Sequence, residues 1–337
     1  MEQRTITFLS DKGGKGINNI GNTCYLNTAL QCLGHCIHFL HYVVSFKSSD
    51  DHLLMQHLRD IYITLWLKQE TVTPSMFCRL LQSRTKGSIF LLEQNDISEF
   101  LSILLDKLNQ DICQNMREDM KRTFQMIHYN SSPYDKQRRK MDLDWIEKVG
   151  KEYSPICNML YGQHISQIIC NHCKKVWHNY EVFQNISVAI SHGNLYDCIK
   201  HHFEDLHLND WQCDNCKKGQ SSVQTTLLWQ NPSILVVSLK RFDFRETGHI
   251  EKNNARVNVP ELLDISKFTV GRNTNTMYSL KSVAFHSGSY FGGHYNAICK
   301  HPNNTWYMMD DEMVMKVSDV NMPDVSTGYV FFYESVR

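Results

Sequence analysis

The sequence predicts an α+β fold with helices first and strands later. Three observations carry this: leucine and isoleucine stripes at helical spacing early in the chain, β-branched and aromatic runs later, and no internal repeat. At 337 residues the chain corresponds to roughly two domains, or one large domain built from subdomains. Hydrophobic residues at 42% and charged residues at 21% are ordinary for a globular core. Lys plus Arg and Asp plus Glu are 35 each, so no net charge favours nucleic acid or an anionic membrane, and neither is expected as a partner. Apolar stretches such as Ile234 to Leu239 fall far short of the roughly 18 residues that read as a membrane span. The opening residues, MEQRTITFLSDKGG, lack the apolar core of a secretory signal. The twelve cysteines are therefore expected as thiols or metal ligands in a reducing compartment.

From Gly16 to about Asn109 the pattern is helical: Leu26, Leu30, Leu33, Ile37 and Leu40 form one stripe, and His52 to Leu67 and Ile97 to Leu108 form others. His35, His38 and His41 share helical spacing and read as an exposed helix face rather than a metal site. Between Met116 and Tyr153 apolar density drops and Lys136, Arg138, Arg139 and Lys140 cluster, which predicts a solvated connector ending in a short helix near Trp145. From about Ser154 strand-like runs follow at Val182 to Ile190, Ser233 to Phe242, Tyr278 to Phe285, His294 to Cys299, Thr305 to Met309 and Gly328 to Tyr333.

Cys24 follows a turn-rich segment, Ile17 to Thr23, and opens the first helical stripe. The unpaired N–H groups and positive dipole end of a helix N-terminus favour a thiolate there. Cys24 stands two residues before Leu26, about 200° around the helix, so it lies off the packing stripe. Asn19 sits where a turn brings its amide back toward the thiol, as an oxyanion donor or as a capping residue. Near the other end of the chain, Gly292-Gly293-His294-Tyr295 leads a strand, and a turn at His301 to Asn304 returns it as a hairpin. If Lys300 faces Thr305, the ladder places His294 opposite Asp311 and next to Asp310, and register alone leaves both acids open as its orienter. Thiol, imidazole and carboxylate together are the constellation for acyl transfer from an amide or ester.

Cys170-Asn171-His172-Cys173 and Cys213-Asp214-Asn215-Cys216 are two C-x-x-C pairs, 39 residues apart. They read as two knuckles at the tips of longer strands, closing one tetrahedral zinc site. A redox dithiol needs only one such motif.

These residues carry a resemblance. Asn19-Ile-Gly-Asn-Thr-Cys24-Tyr-Leu-Asn27 resembles the cysteine box of the ubiquitin-specific proteases, and Gly292-Gly293-His294-Tyr295 with Trp306 to Asp311 resembles their histidine box. Gln94-Asn95-Asp96-Ile97-Ser98-Glu99-Phe100 is similar to the family's glutamine–aspartate segment, and Asn95, Ser98 and Met309 depart from its usual residues. The likeness spans about Gly16 to Tyr333.

It implies a papain-like cysteine protease fold: an N-terminal extension (1–15), a helical thumb (about 16–153), zinc-ribbon fingers (about 154–228) and a β-sheet palm (about 229–335). It implies Cys24 as nucleophile, His294 as general base, Asp310 as orienting acid with Asp311 assisting, and Asn19 as oxyanion donor. Asp96 and Glu99 match positions that contact arginines near ubiquitin's tail, though periodicity alone makes them surface acids. Phe242 and Tyr295 are implied to line the tail channel, with Gly292 and Gly293 in a loop over it. The implied activity is a thiol deubiquitinase with one structural zinc and no catalytic cofactor. Its partners would be ubiquitin and ubiquitinated proteins, with an activating partner left open, in a monomer of the cytoplasm or nucleus. The other classes are a ubiquitin-binding scaffold without turnover and a protease for another ubiquitin-like modifier.

Overall fold

The computed structural model describes residues 13–47, 50–85, 93–127, 132–244, 250–271, 275–318 and 321–336. Most of the expected N-terminal extension, residues 1–12, lies outside them. The helical part comprises α1 (Cys24–Gly34), α2 (Ile37–Ser45), α3 (Leu53–Tyr62), α4 (Ser75–Arg84), α5 (Ile97–Ile112), α6 (Arg117–Gln125), α7 (Pro133–Val149) and α8 (Pro155–Leu160). The stretch read as a connector thus holds two helices. Ser132 accepts from the Asp135 N–H as N-cap, Pro133 occupies the first turn, and Arg138–Asp142 and Asp144–Lys148 pair one turn apart along α7. Only Met141, Trp145, Ile146 and Val149 of α7 are buried, too narrow a stripe for the helix to stand out by hydrophobic spacing.

The first strands form a four-stranded antiparallel sheet, ordered β2 (Val176–Phe183), β1 (Gly162–Ile169), β5 (Gly219–Gln230) and β4 (Leu206–Gln212). Between its halves the chain leaves for β3 (Ile186–Ala189) and helix α9 (Leu195–His202), and β3 pairs in parallel with β6 (Ile234–Lys240).

The large sheet runs β13 (Met313–Ser318), β12 (Trp306–Asp310), β11 (Gly292–Lys300), β10 (Met277–Ser289), β14 (Val330–Ser335), β6, β3, with β9 (Leu262–Asp264) also pairing to β10. A separate two-stranded ribbon joins β7 (Phe242–Phe244) to β8 (Ile250–Lys252).

Strands β6 and β14 are covered on both faces. Ile234, Val236, Val330 and Phe332 face the helical core, while Leu235, Val237, Phe331 and Tyr333 face a second core with Leu195, Ile199 and Phe203. Double-sided burial explains why these strands read as unbroken apolar runs. A third, small cluster of Met141, Ile165 and Trp229 seats α7 on the four-stranded sheet. Among the described residues no helix is long and apolar enough to cross a membrane.

Candidate active site

Helix α1 packs across β10, β11 and β12, which brings its first residue to the start of β11. Every residue of α1 is buried, and Cys24 is 5% exposed. That overturns the expectation of a packing-free position, because the helix start is itself covered by β11. Burial, the largest effect, raises the Cys24 thiol above its ordinary pKa, and the Asp311 carboxylate raises it further. The backbone N–H groups of Tyr295, Tyr25 and Cys24 pull the other way without prevailing. The helix N-terminus therefore acts as expected in sign, but desolvation outweighs it.

His294 lies on β11. Its Nε2 is 2.5 Å from Asp310 Oδ1 at the end of β12, which leaves Nδ1 on the other edge of the ring to exchange a proton. The hairpin register is Lys300↔Trp306 and Ala297↔Met309, one residue away from the expected pairing. Asn304 adopts a left-handed φ of 67° while His301 N–H donates to Thr305 C=O, so the turn absorbs an extra residue. With that register His294 and Asp310 are diagonal neighbours on one face, close enough for the contact observed.

Asp311 does different work. It sits at φ 52° in the turn to β13; its Oδ1 accepts from Asn27 Nδ2 and its Oδ2 from Asn19 Nδ2, both at 2.8 Å. The Asn19 carbonyl oxygen accepts from the N–H groups of Gly21 and Thr23 and from the Thr23 hydroxyl, so the amide is held at both ends. His294, Asp310 and Asp311 present ligand-capable atoms within 4.8 Å of one another.

Beside this group lies a cavity of about 240 Å³ whose lining includes Asp96, Glu99, Phe242 and Tyr295. Asp96 is more than a surface acid. It caps α5, its Oδ1 accepting from Ser98 N–H (2.8 Å) and Glu99 N–H (3.2 Å), and its Oδ2 accepts from the Tyr329 hydroxyl at 2.5 Å.

Gly293 is clamped by Gln94, whose Nε2 donates to Gly293 O (3.0 Å) and whose Oε1 accepts from Gly293 N (2.7 Å). Gly292 stands open, a Cβ there meeting only Gln94 Oε1 at 3.6 Å, whereas at Gly293 a Cβ would overlap the His286 ring and Ser287 O. Gln94, Tyr329 and Asn27 escaped the sequence reading as site residues. Asn27 carried a signal in its place one turn after Cys24 on the same helix, and Gln94 in opening the glutamine–aspartate segment, while Tyr329 carried none.

At the far end of the four-stranded sheet the two C-x-x-C pairs meet. Cys170 Sγ lies 3.8 Å from Cys216 Sγ, and Cys173 Sγ 3.8 Å from Cys213 Sγ. A tetrahedral ion with thiolate bonds of about 2.3 Å sets its ligands about 3.8 Å apart, so the four thiols fit one metal ion. The knuckles are built alike: Lys174 and Lys217 take left-handed φ of 57° and 56°, each donating back to the first cysteine's carbonyl.

His35 departs from the exposed face expected of it. It is 2% exposed, beside Trp66 and His301, and burial lowers its pKa to about 3. His38 is half-buried on Glu334, and His41 alone of the three is exposed.

Residues 15–333 match the family model "Ubiquitin carboxyl-terminal hydrolase". The chain belongs to that family. It is 29% identical to "Ubiquitin carboxyl-terminal hydrolase 2" of Bos taurus, covering 98% of this chain and 56% of the relative. It is 27% identical to "Ubiquitin carboxyl-terminal hydrolase 5" of Saccharomyces cerevisiae, covering 95% of this chain and 44% of that one. The chain thus spans about half the length of these curated relatives. By their names the relatives are hydrolases of the cysteine-type deubiquitinating class.

Among solved structures, the "SAGA DUB module" of Ubp8, Sgf11, Sus1 and Sgf73 bound to monoubiquitin superposes with a TM-score of 0.72 at 21% identity. It covers 97% of this chain and 70% of the matched one, a likeness that shows the shared fold.

Proposed function

We propose that this chain is a thiol-dependent deubiquitinase that hydrolyses the isopeptide or peptide bond after the C-terminal Gly of ubiquitin on conjugated proteins or chains. The observation that carries the reading is the convergence of Cys24, at the start of α1, with the His294–Asp310 pair of 2.5 Å on the hairpin against it. In this reading His294 Nδ1 takes the Cys24 proton, and the thiolate attacks the carbonyl carbon of the terminal Gly. Asn19 and the Cys24 backbone N–H stabilise the oxyanion, and His294 protonates the departing lysine amine. Water then hydrolyses the thioester, with the same imidazole as base. Asp310 holds the ring in place through Nε2.

The cavity of Asp96, Glu99, Phe242 and Tyr295 is the proposed channel for the modifier's tail, its acids suited to arginines beside a Gly-Gly end. We assign the thumb to 16–153, the fingers within 154–228 and the palm to 229–335, counting β3 and α9 with the palm sheet. The ion at the fingertips is taken to be zinc, which suits four thiolates and would hold the fingers while taking no part in hydrolysis. Ubiquitin and ubiquitinated proteins are the proposed partners, in the cytoplasm or nucleus. The relative solved with Sgf11, Sus1 and Sgf73 is the reason to keep an activating partner within the proposal.

The test is turnover of ubiquitin bearing a fluorogenic C-terminal amide, alongside the same amide on other ubiquitin-like modifiers. Release from ubiquitin by the wild type and none by Cys24→Ala is expected. Turnover confined to another modifier would replace the substrate, and binding without turnover would make the chain a receptor.

A further inference from the structure

Asn27 is one of two buried amides on α1, and of the two it is the one that reaches the site, Gln31 donating instead to Lys15 O. It is 2% exposed, one turn after Cys24, and its Oδ1 has no hydrogen-bond partner among the described residues. Its Nδ2 carries the whole polar interaction, donating to Ile17 O at 3.2 Å and to Asp311 Oδ1 at 2.8 Å. Both partners are acceptors only, so the orientation of the amide is fixed. A leucine would fill this position as packing but would leave Ile17 O and Asp311 Oδ1 without this donor, so what the amide supplies is those two hydrogen bonds. The other ends of the arrangement are equally tied. Ile17 N–H donates to Asp311 O at 2.9 Å, and Asp311 Oδ2 holds Asn19.

We propose that Asn27 is a positioning residue for the hydrolysis, acting through Asp311: it pins one carboxylate oxygen so that the other orients the Asn19 amide for the oxyanion. The inference rests on the hydrolase reading above. A carboxylate bonded at one oxygen alone would be free to rotate about its side chain and toward the Cys24 thiol, whose ionisation it already opposes. With Asn27 on one oxygen and Asn19 on the other, rotation breaks two hydrogen bonds. Since Asn27 and Cys24 share α1, the nucleophile and the brace that sets the oxyanion donor move as one body.

The test uses the full chain and ubiquitin with a fluorogenic C-terminal amide. Removing an oxyanion donor outright costs about 10²–10³ in kcat, so loosening one in Asn27→Ala should cost about ten-fold. KM and the rate of Cys24 alkylation by iodoacetamide, a reaction with no oxyanion, should stay within about two-fold of wild type. In an Asn19→Ala background the further cost of Asn27→Ala should shrink to less than about two-fold, because the path runs through that amide.

Should Asn27→Ala fail to fold, the exchange Asn27→Asp with Asp311→Asn decides. It restores the donor–acceptor pair between positions 27 and 311, though not the bond to Ile17 O, and should recover part of kcat relative to Asn27→Asp alone. Unchanged kcat in Asn27→Ala, an equal cost with and without Asn19, a matching fall in alkylation, or no recovery by the exchange would each overturn the inference. A wild type without turnover would instead overturn the hydrolase reading.

Discussion

Asp310 and Asp311 are neighbours in sequence with separate duties: the first reaches the imidazole of His294, the second is divided between two amides. Asp310→Ala should therefore lower kcat by about 10²–10³, since the imidazole loses its orienter, and Asp311→Ala by only about ten-fold. Steady-state kinetics on a ubiquitin amide checks the order, and a larger loss from Asp311→Ala would move the orienting role to it. Glycine gives a second contrast. Gly293→Ala forces a Cβ onto His286 and Ser287 at the residue before His294, whereas Gly292→Ala makes only an ordinary contact with Gln94 Oε1 at 3.6 Å. We expect Gly293→Ala to lower kcat at least ten-fold, by order of magnitude, with Gly292→Ala folding normally; equal activity in the two variants would refute the packing argument.

At this scale the placement of Cys24 at a helix start and of His294 and Asp310 on one hairpin was legible, because a turn-rich segment leads into the first and a Gly-Gly pair and an Asp-Asp pair mark the two ends of the second. Their environment was not legible. The burial that raises the Cys24 thiol comes from β11, some 270 residues later in the chain, and no local pattern announces it.

Among the elements, strands buried on two faces were the clearest in sequence and strands exposed on two faces the least. Ile234 to Lys240 is an apolar run covered by both cores, while β4, Leu206–Gln212, carries no buried residue and had no stripe to read. Its place followed only from the C-x-x-C pairs, which require long strands to meet. The His294–Asp310 hairpin was legible except for one residue of register, lost because Asn304 in the left-handed region gave no sign of a bulge in a turn already rich in Asn. The four-stranded sheet, the proposed fingers, makes its own prediction. Chelating the metal, or Cys213→Ser, should melt the tips of β1 and β4 and raise KM for ubiquitin several-fold, since β4 is held by little apolar burial. Cys24 alkylation should be unchanged, being seated in a different core. Loss of alkylation on chelation would show that the fingers and the thiol are not independent.

For the whole molecule, the helical part and the large sheet share a single core that runs from Leu26 and Leu30 on α1 to Ala297 and Cys299 on β11 and Phe332 on β14. The site lies where that core reaches the surface, so global stability bears directly on it. His35 sits in the same region with its pKa lowered to about 3 by burial. Between that value and the roughly 6.5 of an unfolded chain, the unfolded state binds more protons, so stability is full above pH 6.5 and is lost as pH falls. One such group contributes up to about 1.4 kcal/mol per pH unit in that window. Urea unfolding at pH 7.5 and 5.5 should show wild type losing about 1 kcal/mol more than His35→Gln over the interval. Equal losses would mean that His35 titrates normally in the folded chain.

The central claim is the proposal that Cys24, 5% exposed, is the nucleophile of a site that takes ubiquitin's C-terminus, and its most direct measurement is capture by ubiquitin carrying a C-terminal electrophile. The purified chain and its Cys24→Ala variant are incubated with the probe and read by intact mass. A single adduct of ubiquitin's mass on the wild type, and none on the variant that still binds ubiquitin, is the predicted result. An adduct persisting on Cys24→Ala, or none on a folded wild type supplied with zinc, would contradict the claim.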